Sequence, residues 1–115
     1  MPKLLSQVNF ANLTVASLTT TSTSEVPLDV FSKETFRSVK YQIQITQGSD
    51  YETVDFLVVH TGSNTYNLSL VDVKTGDAPL ASFDTDISGD NVRLLVTPAS
   101  SSSTTFKTIR TSINT

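Results

Sequence analysis

The chain has 115 residues, a formal net charge of −3, no cysteine and one histidine. A domain of this size buries about two thirds of its unfolded surface, so one core suffices without disulfides or metal staples. The missing cysteines exclude disulfides and thiolate metal sites, the single His60 excludes multi-histidine zinc clusters, and the negative charge argues against a protein held on nucleic acid by phosphate contacts. Only 17% of residues are charged, and hydroxyls supply the missing polarity: 34 residues are Ser or Thr.

Residues 1–10 hold no apolar stretch of signal-peptide length, and the longest strongly apolar run is residues 56–59, against about twenty residues for a membrane helix. The expectation is a soluble protein made in a cytoplasm, with no membrane partner. Residues 1–34 read as a Ser/Thr-rich N-terminal arm and residues 35–115 as one β-domain. Within the arm, Val8, Phe10, Leu13 and Val15 form a short apolar pattern that fits one strand with a slip between Phe10 and Leu13. They are the residues expected to anchor the arm on a neighbouring protein by strand addition. Six hydroxyl residues follow Leu18, from Thr19 to Ser24; such a run builds no core by itself. The nearest approach to a helical period is residues 30–36, long enough for a single turn.

From residue 35 the period is two. Val39, Tyr41, Ile43 and Ile45 alternate with polar residues, and a turn follows at residues 47–50. In residues 51–61, Val54, Phe56 and Val58 face one way and Leu57 and Val59 the other, so a strand covered on both faces is expected. Residues 65–74 change phase around Leu70, which predicts a bulge or a bend. Phe83, Thr85 and Ile87 oppose Ser82, Asp84 and Asp86, a hairpin turn falls at residues 88–91, and Val92, Leu94 and Val96 alternate with Arg93, Leu95 and Thr97. A serine loop and a last strand over residues 104–113 complete six strands, each ending in a short turn. Gly48, Gly62, Gly76 and Gly89 fall one per turn, and each reads as a positive-φ residue. The fold class is therefore all-β: an antiparallel sandwich or small barrel of six to eight strands with an extended N-terminal arm.

Few constellations carry chemistry. Asp84-Thr85-Asp86-Ile87-Ser88-Gly89-Asp90 matches the start of a calcium loop, which makes Asp84, Asp86 and Asp90 the metal candidates. The position that needs a bidentate Glu is Leu95, however, and the flanks are strands. An acidic strand face entering a hairpin is the reading adopted, and no cofactor is expected. Asp84 and Asp86 share a face about 7 Å apart on an extended strand, a spacing that glycoside chemistry could use. His60 could act as a base, but Asp55 lies five residues away and points to the opposite face. Tyr41 and Tyr66 lie in phase with apolar neighbours, so core packing is expected of them rather than a sugar-stacking platform with Tyr51. Lys40, Lys107 and Arg110 read as surface charge balance.

Four blocks carry a family resemblance: residues 38–45 (Ser-Val-Lys-Tyr-Gln-Ile-Gln-Ile), residues 56–62 (Phe-Leu-Val-Val-His-Thr-Gly), residues 80–98, and residues 103–107 with Arg110. In order and spacing, residues 36–113 resemble a small β-domain common in virion structural proteins of tailed phages, especially marine and cyanobacterial ones; residues 1–35 lie outside the shared pattern. The resemblance implies a non-enzymatic assembly module, located in the virion, with other virion proteins as partners (a major capsid protein or tail proteins) and many copies or a homo-oligomer in the particle. It supplies no catalytic residue. Capsid decoration or cementing is the first expectation. The alternative is a tail, baseplate or fibre component that contacts host glycans. A third reading, an enzyme or calcium-dependent binder, would rest on His60 or the Asp84/Asp86/Asp90 turn.

Overall fold

Alternating apolar and hydroxyl-rich residues favour extended backbone, because β-branched side chains pack well on a pleated surface and each residue switches face. The computed structural model describes residues 10–115, and all its regular elements are strands. They are β1 (Ala11–Thr20), β2 (Val26–Ser32), β3 (Phe36–Gln47), β4 (Asp50–His60), β5 (Thr65–Lys74), β6 (Ala81–Ser88), β7 (Asn91–Pro98) and β8 (Thr104–Asn114). All pairings are antiparallel. A five-stranded sheet has the order β1-β8-β3-β4-β5 and a three-stranded sheet the order β2-β7-β6. The result is an open sandwich rather than a closed barrel.

The core lies between the two sheets. Tyr41, Ile43 and Ile45 of β3, Phe56 of β4 and Phe106 of β8 face Val92, Leu94 and Val96 of β7. These are the positions that period-two reading assigns to one face. Phe83 bridges the layers, with ring centroids 5.9 Å from Phe56 and 6.5 Å from Phe106, the latter edge-on.

Two hairpins show why their turns fall where they do. Gln47 pairs with Asp50 and Ser88 with Asn91, leaving two-residue loops that start at Gly48 and Gly89. Both glycines have φ of 59°, the positive value that a type II′ turn takes at its first central residue and that suits the twist of the flanking strands. Gly62 is also in positive φ, at 91°. Gly76 is not among the positive-φ residues, so the expectation that all four glycines serve that purpose holds for three.

The expected division at residue 34 cuts across both sheets. Residues assigned to the arm form β1, paired with β8 over ten residues, and β2, paired with β7. Leu28 and Phe31 of β2 sit in the core, and Leu18 of β1 packs against it. The hydroxyl run is half strand: Thr19 and Thr20 finish β1, and residues 21–24 loop between sheets, where Ser22 N–H donates to Thr20 Oγ1 and Ser24 N–H to Ser22 Oγ. No helical turn forms at residues 30–36; β2 runs to Ser32 and a tight turn, closed by Thr35 N–H to Ser32 O, leads into β3.

Candidate functional site

The five-stranded sheet has one face on the core and one face outward. The registers align the outward residues in rows across β1, β8, β3, β4 and β5. One row reads Ala11, Ile113, Ser38, Val59, Tyr66; the next reads Leu13, Thr111, Lys40, Leu57, Leu68. A third reads Val15, Ile109, Gln42, Asp55, Val71 and a fourth Ser17, Lys107, Gln44, Thr53, Val73. The pattern is two apolar margins, on β1/β8 and on β4/β5, flanking a polar strip on β3. Val15 is 69% exposed and Leu68 60%, so these side chains have no cover among the described residues. Soluble proteins rarely leave so many large apolar residues together on one face without a use for them.

The expected bulge is present and explains the second margin. The β4–β5 register shifts at Asp55/Phe56, opposite Ser69 and Val71, so Leu70 is the extra residue. It lets Tyr66 and Leu68 before it, and Val71 and Val73 after it, point outward together. Leu57 and Val59 share this open face, so β4 is covered on one side only, against the expectation of two covered faces. Tyr66 is likewise exposed, whereas Tyr41 is in the core. Tyr51 and Tyr66 do not meet. Tyr51 lies at one end of β4 and Tyr66 beside the other, about 27 Å apart along an extended strand, so no sugar platform forms from the three tyrosines.

Of the expected arm anchors, Leu13 and Val15 lie on the β1 margin and Phe10 is exposed just before β1, its carbonyl accepting the Asn114 N–H at 2.7 Å. Val8 lies outside the described residues. Leu13 and Val15 are therefore surface residues of the domain itself, next to Ile113 and Ile109, rather than parts of a separate arm.

His60 is buried, 2% exposed, and both ring nitrogens are used within the fold. Gly62 N–H donates to Nδ1 at 2.9 Å, which leaves Nε2–H to donate to the Phe36 carbonyl at 2.6 Å. The imidazole pins the β4–β5 turn to the start of β3. Asp55 faces outward and pairs with Lys40 at 3.6 Å, so no His–Asp dyad exists.

The acidic turn is also engaged with its own fold. Arg93 grips Asp86 with two parallel bonds, Nε to Oδ1 at 2.8 Å and Nη2 to Oδ2 at 2.6 Å. That hydrogen-bonded guanidinium holds the Asp86 carboxyl below its ordinary value. Asp84 Oδ1 accepts the Thr85 N–H, and the Asp90 carbonyl accepts the Lys33 N–H. Asp84, Asp86 and Asp90 do not converge: among the described residues no group of three or more His, Asp or Glu side chains is placed to hold a metal ion.

Among the described residues one ion pair is buried, and sequence reading missed it. Arg110, 6% exposed, sends Nη1 to Asp29 Oδ2 at 2.7 Å, Nε to Ser112 Oγ at 2.9 Å and Nη2 to Thr14 Oγ1 at 3.3 Å. Its guanidinium carbon lies 5.2 Å from the Phe31 ring centroid and 5.5 Å from that of Phe36. Tyr41 O–H donates to the same Asp29 oxygen at 2.8 Å; burial, and then Asp29, push the phenol far above its usual range. The signal was present: Arg110 is in phase with Phe106 and Thr108, the inward set of β8. These bonds tie β8 to β2 and β1 and make a clamp between the sheets, not a reaction centre.

Set beside known proteins, the chain matches no family model, and no curated protein is similar to it. Among solved structures it is similar to the tailspike protein of Acinetobacter phage vB_ApiP_P1, with a TM-score of 0.56 and 18% identity over 99% of this chain and 24% of that one. A second likeness, to the tailspike protein of Acinetobacter baumannii phage AM24, has a TM-score of 0.48 and 8% identity over 91% of this chain and 27% of that one. The chain thus spans about a quarter of the length of these tailspikes. At these identities the first likeness establishes a shared fold: an eight-stranded antiparallel sandwich of the kind that forms one part of a phage tailspike.

Proposed function

We propose that this chain is a non-enzymatic structural domain of a tailed-phage virion, placed in the tail, where it works as an assembly module. The observation that carries the reading is the fold likeness to a phage tailspike over 99% of the chain. The sequence resemblance to small β-domains of tailed-phage virion proteins, especially marine and cyanobacterial ones, points the same way. Capsid decoration, the first expectation from sequence, has no counterpart in the comparison, so the tail reading replaces it. The assembly role is supported by the side chains singled out for chemistry: His60 is spent on two backbone bonds and Asp86 on Arg93. The partners on this reading are other tail proteins.

The test is cryo-electron microscopy of particles labelled with an antibody against this chain, with copy number from quantitative mass spectrometry. Label confined to the tail, with few copies per particle, is expected. Label spread over the head at hundreds of copies would return the decoration reading, and unlabelled particles would remove the virion role altogether.

A further inference from the structure

We infer that the outward face of the five-stranded sheet is an interface between two copies of this chain. The proposal stands on the surface alone, whatever larger assembly the domain serves.

Three observations select a second copy as the occupant. The first is size. Five strands about 4.8 Å apart, with rows spanning roughly 27 Å along them, give a face on the order of 650 Å² in projection. That is close to the roughly 800 Å² per partner of a standard specific interface. The second is symmetry. Apolar margins flank a polar strip on β3, so a two-fold axis lying in the interface and crossing β3 between Lys40 and Gln42 lays margin on margin and strip on strip, with Lys40 over Gln42 rather than over its own copy. Self-complementarity of this kind is what an isologous contact needs, since the same patch must serve both partners. The third is charge. Across the four rows the charged residues are Lys40, Asp55 and Lys107, and Lys40 is paired with Asp55 at 3.6 Å. A copy therefore meets little like charge, and the exposed Gln42 and Gln44 can exchange hydrogen bonds across the strip.

The sequence pattern agrees. Leu57 and Val59 give β4 the two apolar faces of a strand covered on both sides, and the described residues cover one. A second sheet packed face to face would supply the other cover at the usual spacing of about 10 Å.

The test is analytical ultracentrifugation of the full chain across micromolar concentrations, with one variant on each margin, Leu13→Glu and Leu68→Glu. Wild type is expected at twice 12.5 kDa. Each glutamate is expected to weaken association by about tenfold or more, because it buries an unpaired charge at a packed contact. Ser82→Glu, on the exposed side of the smaller sheet, should change nothing. Circular dichroism checks the fold, and Leu13→Ser and Leu68→Ser replace any glutamate variant that unfolds. Three results would overturn the proposal: a wild-type monomer at every concentration, association unaffected by both margin variants, or a monomer that associates only once residues 1–9 are removed, which would give the face to that segment.

Discussion

Arg110 shows how much one inward position can carry. Its guanidinium joins three strands, and its partner Asp29 is nearly as enclosed, with side-chain exposures of 7% and 10%. Removing one member of such a pair leaves a buried charge without compensation. Arg110→Met should therefore cost about 3–5 kcal/mol in urea unfolding, and Tyr41→Phe, which removes a single bond to the same carboxylate, about 1–2 kcal/mol. An Arg110→Met loss below that of Tyr41→Phe would mean that Asp29 finds water. Glu52 makes a different case. It is buried on β4, its Oε1 accepts the Leu80 N–H at 2.7 Å, and burial, followed by hydrogen bonding to Asp72, raises its pKa above the ordinary 4.5. The folded state thus holds this proton more firmly than the unfolded state. Its contribution is fully present below pH 4.5 and is lost as pH rises through the raised value. Glu52→Gln keeps an acceptor for Leu80 and removes the ionisation. The variant should gain stability relative to wild type as pH rises above 4.5, read as a widening difference in melting temperature; a constant difference would sink the assignment. Position 52 falls in phase with Val54, Phe56 and Val58, so its burial was legible. Its acid neighbour was not, because Asp72 comes alongside only through the β4–β5 pairing.

At the scale of elements, turn chemistry was the most legible feature, and its one failure is instructive. A two-residue hairpin loop leaves few backbone options, so glycine at positions 48 and 89 reads directly as positive φ. Nothing lies within 4 Å of a β-carbon built at either position, so any cost of adding one is backbone strain and not a clash. Gly89→Ala should cost about 1–2 kcal/mol. Gly76 lacks that conformation and would meet only Asp50 Oδ1 at 3.8 Å, so Gly76→Ala should be neutral or stabilising by about 0.5 kcal/mol. Thermal unfolding of the two variants side by side decides the matter; equal losses would refute the distinction. Sequence alone could not separate the two glycines, because Thr75-Gly76-Asp77 lies in a longer crossover between sheets, where more backbone paths close the gap. The β5 bulge was legible at Leu70 because two periodic patterns of opposite phase cannot share a face without an extra residue between them. Of the first two strands, β1 was legible only as the short apolar pattern ending at Val15, and β2 not at all. Residues 11–20 are mostly polar or exposed, and a strand at a sheet edge takes its place from backbone bonds to β8, which leave no mark on its own side-chain pattern.

Across the whole molecule, the amino-acid sequence by itself determined the class of fold, the position of six strands and most of the side chains that share a face. The pleat has a period of two, so local alternation is enough to specify these. It also marked β4 as apolar on both sides. What only the tertiary structure decided was the membership and order of the sheets: that β8, last in the chain, lies between β1 and β3, and that β1 and β2 belong to opposite layers. Ladder bonds are made by peptide groups common to every residue, so pairing between distant strands is chosen by the fit of the whole sandwich and not by any one segment. The same reason hid the candidate site. Each strand's sequence says that it has an apolar outward side chain or two, but their gathering into two margins about a polar strip exists only once five strands from distant parts of the chain lie in register.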